Sequence, residues 1–141
     1  MLVHFVRSDV HIRQIDRQFS LFSEDNAAFI SIVSVGEIRS LAFQFGWGTS
    51  KLTRMNHFLQ ALRPFPVESE EIAAAYADLD AFSQGVHPRF SVPNGLTARN
   101  MGKNDLWIAA TALLFNATLL TTDNDFEHLV PQFLQVEVVK F

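Results

Sequence analysis

Four short apolar runs rich in β-branched residues, separated by stretches of helical spacing, constrain this chain more than any other feature. They are Ala27-Ala28-Phe29-Ile30-Ser31-Ile32-Val33, the proline-flanked segment around residues 64–67, Ala117-Thr118-Leu119-Leu120-Thr121, and Leu134-Gln135-Val136-Glu137-Val138-Val139. Runs of this length and composition suit buried strands. Strands that alternate with helices imply a mainly parallel sheet with helices on both faces, a three-layer α/β/α domain. Such folds place their sites at the carboxyl ends of the strands.

The intervening stretches carry helix signals. Leu2 to Phe22 reads as mostly helical, with Ile12, Ile15, Phe19 and Phe22 on one face. Ser34-Val35-Gly36-Glu37 has capping-box spacing and is expected to open a helix through about Phe45. Gly46-Trp47-Gly48 breaks it, and Thr49 to Leu62 forms the next. Ser69-Glu70-Glu71 caps a helix through Ala73, Tyr76, Leu79 and Phe82, whereas residues 85–100 lack any period and read as a loop. Asp105 to Phe115 is apolar nearly all round, as a helix buried on most sides would be, and residues 123–130 suggest a short helix.

At 141 residues the chain is the size of one domain, expected to span 1–141. Its hydrophobic fraction of 48% against 18% charged excludes a disordered or low-complexity protein. No apolar run approaches the roughly 20 residues that span a bilayer, and the first residues lack a signal-peptide pattern, so the protein is expected in the cytoplasm, away from membranes. Cysteine is absent, which removes thiolate catalysis and cysteine-ligated metals. The net charge of −4 argues against broad adhesion to nucleic acid and leaves only local basic rims for that purpose.

Three carboxylates stand out against this frame. Glu37 follows the strand ending at Val33, Asp123 follows the strand ending at Thr121, and Asp105 begins the most apolar helix. Each has a local explanation as a capping or turn residue. Together they mark two strand ends and a helix start, which in a doubly wound sheet converge on one crevice. Oxygen ligands without Cys or paired His favour Mg²⁺ or Mn²⁺ over Zn²⁺.

The segments Ser34-Val35-Gly36-Glu37-Ile38, Gly102-Lys103-Asn104-Asp105-Leu106-Trp107-Ile108-Ala109-Ala110-Thr111-Ala112 and Leu120-Thr121-Thr122-Asp123-Asn124-Asp125-Phe126 resemble the successive motifs of PIN-domain proteins, in particular the VapC-type toxins of toxin–antitoxin pairs. The resemblance covers essentially the whole chain. It implies a metal-dependent endoribonuclease that hydrolyses RNA phosphodiester bonds with Mg²⁺ or Mn²⁺. Glu37, Asp105 and Asp123 match the family's catalytic metal-binding acids, and Asp125 matches a position that is often acidic. Asn104 and Thr122 would support water or phosphate from behind the ligands. The expected partners are RNA, a protein antitoxin and a second copy of the chain.

One departure qualifies the resemblance. The family opens with a strand ending in an Asp-Thr-Asn-like motif, and this sequence begins inside the helix that follows it. The expectation is therefore that the first strand, placed in mid-sheet between the strands at 27–33 and 117–121, and its acid lie upstream of Met1. Asp9 and Asp16 are expected to be solvated rather than substitutes. Without that acid the alternative function is a catalytically impaired PIN-like protein that binds a partner.

The remaining residues have plainer readings. His4, His11, His57, His87 and His128 show no paired metal spacing and are expected in structural or surface roles. Most of the fourteen Phe residues fall at core spacing. Arg39, Lys51, Arg54, Arg99 and Lys103 flank the acids in sequence and offer contacts to RNA phosphates, though each by itself is better read as solvated. A receiver-like phosphoacceptor domain, which also gathers acids around Mg²⁺, requires an acidic pair after its first strand and a lysine after a late strand, and neither is in place.

Overall fold

The computed structural model describes residues 1–141, which divide into two compact units: Met1–Pro66 with Phe141, and Val67–Lys140. The first unit contains helices α1 (Leu2–Arg7) and α2 (Asp9–Phe19), strand β1 (Phe29–Ser31), helices α3 (Ile32–Gln44) and α4 (Thr49–Ala61), and strand β2 (Arg63–Phe65). The expected N-terminal helix is thus two helices, broken at Ser8. That residue is extended (φ −155°, ψ 127°), and its Oγ accepts the Val10 amide at 3.2 Å to start α2. Arg54 of α4 closes the end of α1, its Nη1 donating to the Val6 and Arg7 carbonyls at 2.9 and 3.2 Å. These are carbonyls that a helix end leaves without partners. Asp9 is exposed, as expected, and pairs at the surface with Arg54 Nε at 3.2 Å, while the half-buried Asp16 accepts the Phe22 amide at Oδ1. Phe5, Ile15, Ile38, Met55 and Phe58 form the buried interior of this unit, with the Phe5 and Phe58 rings 4.8 Å apart.

Strand β1 is shorter than its apolar run because Ser31 ends it. The Ser31 Oγ accepts the Val33 amide at 3.3 Å, so α3 begins at Ile32 rather than after Ser34. The expected capping box is therefore displaced, and Glu37 falls in the second turn of α3, half-buried. Strand β2 contains Pro64, which has no N–H to donate and suits a strand at a sheet edge. It pairs parallel to β1 in the register Phe29 to Arg63, Ile30 to Pro64 and Ser31 to Phe65.

The second unit contains α5 (Glu70–Ser83), α6 (Lys103–Leu114), β3 (Thr118–Thr121), a 3₁₀ turn (Glu127–Leu129) and β4 (Gln135–Val138). Ser69 caps α5 through the Ile72 amide at 3.3 Å, as its spacing predicts. Helices α5 and α6 pack together over a core that includes Leu79, Phe82, Leu106, Ala109, Ala110 and Leu129. The two alanines are fully buried, and small side chains there bring helix backbones close. Of the helix expected at 123–130 only the 3₁₀ turn forms.

Strands β3 and β4 run parallel, from Thr118 opposite Gln135 to Thr121 opposite Val138. The fold is mixed α/β with parallel strands, as the alternation of elements predicts. Its sheet structure is not one piece, however: β1–β2 and β3–β4 are separate two-stranded sheets, so β1 and β3 each have a single hydrogen-bonded neighbour.

Candidate functional site

Glu37 lies in the first unit and the other candidate acids lie in the second. Asp105 is the third residue of α6, where a carboxylate is favoured by the helix dipole. Its N-cap is Gly102, which offers no side chain to the helix end. A Cβ at residue 102 would lie 3.0 Å from Asp105 Oδ2, so the carboxylate folds back into space that only glycine leaves open. Asn104, next to it, is exposed in the first turn.

Asp123 and Asp125 belong to the loop that leaves β3. The Asp123 amide donates to Thr121 Oγ1 at 3.1 Å, and Asp123 Oδ1 accepts the Asp125 amide at 3.0 Å. An aspartate that bonds the backbone two residues on makes a turn of its own. Both aspartates are exposed and Thr122 is half-buried. Asp125 is also paired: Arg99 Nη1 donates to its Oδ1 at 3.3 Å. Arg99 and Arg54, read from the sequence as solvated residues or phosphate contacts, are thus engaged by Asp125 and Asp9.

Behind the loop lies a polar pair that spacing does not reveal. Ser83 and His128 are both fully buried, and Ser83 Oγ lies 2.6 Å from His128 Nε2. Burial is the main cause holding the His128 pKa below its usual 6.5, with the Arg99 charge second. The Asp125 backbone and carboxylate oppose that shift, although nothing meets hydrogen-bond geometry at Nδ1. The expectation of a structural role holds for this histidine and for His87, which is buried, accepts the Arg89 and Phe90 amides at Nδ1, and bonds Asp78 through Nε2.

The donor chemistry of these acids is that of a hard-cation site: oxygen ligands in a chain without cysteine. Nowhere do three or more His, Asp or Glu side chains gather closely enough to hold an ion.

Residues 1–130 match the PIN domain family. The chain belongs to that family. The match runs from α1 through the 3₁₀ turn and takes in all the motif segments that carry the sequence resemblance. No curated protein matches the chain. Among solved structures, this PIN domain resembles a chain of VapBC2 from Rickettsia felis bound to a DNA fragment from their promoter, with a TM-score of 0.70 at 21% identity over 98% of this chain and 92% of that one. It also resembles a chain of VapBC-1 from nontypeable Haemophilus influenzae, with a TM-score of 0.63 at 23% identity over 87% and 82% of the two chains. At these identities the likeness is one of fold, and the PIN-type α/β fold is the reading the two neighbours share.

Proposed function

We propose that this PIN domain, a single domain over residues 1–141, is a VapC-type endoribonuclease that hydrolyses RNA phosphodiester bonds with Mg²⁺ or Mn²⁺. The observation that carries the reading is the family match across residues 1–130, within which Glu37, Asp105 and Asp123 stand in the order of the family's acidic motifs. These three are assigned as the catalytic ligands, with Asp125 assisting and Asn104 and Thr122 supporting them. The ion's contribution when bound is to acidify a water and offset charge on the phosphate under attack. The chain's own part is to hold carboxylates on helix and strand ends whose backbones are already ordered, so that little is reorganised on binding. The fold likeness to chains of VapBC structures supports a protein antitoxin as partner, and we extend the reading to a homodimer in the cytoplasm.

The alternative reading is a catalytically impaired PIN domain that binds its partner without cutting RNA. Incubation of the purified protein with a generic RNA, with Mg²⁺, Mn²⁺ or chelator, separates the two. Under the first reading cleavage depends on the metal, and Asp105→Asn or Asp123→Asn abolishes it while leaving the circular dichroism spectrum unchanged. Intact RNA under every metal condition, from a protein that is folded, establishes the second.

A further inference from the structure

The loop carrying Asp123 and Asp125 is tied to the far end of α5 by three residues outside the family motifs. Ser83 is the last residue of α5 and is fully buried. Its carbonyl accepts the Arg99 amide at 2.7 Å, and its Oγ donates to the Arg99 carbonyl at 3.1 Å. One serine thus holds both backbone groups of Arg99. A hydroxyl has one proton, and with that proton committed to the Arg99 carbonyl, Oγ accepts from His128 Nε2. The turn after α5 allows the approach: Gly85 adopts φ +73°, and a Cβ there would come within 3.1 Å of the Ala98 side chain.

From this anchored backbone the Arg99 side chain reaches Asp125, with Nη1 at 3.5 Å from its carbonyl and 3.3 Å from Oδ1. A surface ion pair with partners 34% and 63% exposed ordinarily contributes little, because two mobile side chains must be ordered to make it. Here one partner springs from a backbone that a buried pair has already immobilised. The other lies in a loop whose Asp123 carboxylate bonds the Asp125 amide, so Arg99 restrains the whole turn.

We propose that Arg99 is a positioning residue, clamped by Ser83 with His128 behind it, that holds loop 122–126 in the single conformation from which Asp123 and Asp125 act. The role assigned to those carboxylates rests on the nuclease reading; the restraint of the loop does not.

Amide hydrogen exchange and Mn²⁺ line broadening, followed by NMR on the full chain, test the two parts separately. In Arg99→Gln, which leaves the buried pair in place, the Asp125 amide should exchange about tenfold faster or more while the amides of α6 are unchanged, the pattern of a local opening. Ser83→Ala should do the same, and Ser83→Thr should restore protection. Mn²⁺ broadening of the Asp123 and Asp125 signals should require several-fold more Mn²⁺ in Arg99→Gln than in the wild type. Unchanged Asp125 exchange in Arg99→Gln, or exchange rising equally throughout α6, overturns the proposal. Tighter Mn²⁺ binding in that variant also overturns it, since Arg99 would then be a competitor for the carboxylate. A wild type that shows no Mn²⁺ broadening counts against the metal reading alone, and the exchange result still decides the clamp.

Discussion

Asp105 occupies space left open by the missing side chain of Gly102, and that is a property of two residues. Gly102 has φ −59° and ψ 140°, which alanine adopts without strain, so Gly102→Ala acts through its Cβ against Asp105 Oδ2 at 3.0 Å. Displacement of the Asp105 carboxylate should change stability within about 1 kcal/mol and, under the proposed nuclease reading, cause a larger proportional loss of metal-dependent cleavage. Urea denaturation and an RNA cleavage assay on the same preparation check the two halves of that expectation. A different residue-scale effect is set by His4, whose ring stacks on Phe141 at a centroid distance of 4.8 Å. Burial first, then the Met1 ammonium and the charges of His11 and Arg7, hold its pKa below 6.5. The unfolded chain therefore binds more protons than the folded one between the depressed value and 6.5. This contribution to stability is present above pH 6.5 and is lost as pH falls through the folded pKa. His4→Phe should flatten that part of the stability–pH curve, as thermal melts at stepped pH would record.

At the scale of elements, the start of α3 shows how a local rule with two candidates is resolved. Ser31 and Ser34 both precede helical spacing, and Ser34 also has Glu37 three residues on, which is the stronger signature on paper. The register of β1 with β2 carries the chain in extended form to Ser31, opposite Phe65. Ser31 is therefore the residue whose Oγ meets an unpaired helix amide, and Ser34 is already inside the helix. Ser31→Ala should cost about 1 kcal/mol, the usual worth of an N-cap, and Ser34→Ala distinctly less. A comparison of the two denaturation midpoints decides which serine is the cap. The loop at 85–100 was legible as a loop from its composition, but not the return of Arg99 to the end of α5. That contact depends on Gly85 turning the chain and on a serine hydroxyl, neither of which has a periodic signal.

For the whole molecule, strands and helices alternate much as hydropathy suggests, and residues 1–130 match the PIN domain family. Each unit has its own interior, and in the second the centre is Leu79, fully buried among Phe82, Leu106 and Leu129. Leu79→Ala should destabilise the protein by about 2–5 kcal/mol through lost contacts and a residual cavity. The urea midpoint should fall with little change in the slope of the transition. The sequence alone determined what local chemistry can determine: strands within four short apolar runs, helices at the amphipathic stretches, the Ser69 cap, Asp123 just after a strand and Asp105 at a helix start, whereas Glu37 lies in the second turn of α3 and not at a strand end. Its signals reach only a few residues along the chain, because periodicity and capping arise from neighbours in one element. The tertiary structure decided everything that joins distant positions: the pairing of Arg99 with Asp125, 26 residues away, the burial of Ser83 against His128, 45 residues away, and the division of the strands into two sheets. Those contacts follow from which surfaces exclude water and which polar groups must then find partners inside, and no local pattern encodes that outcome.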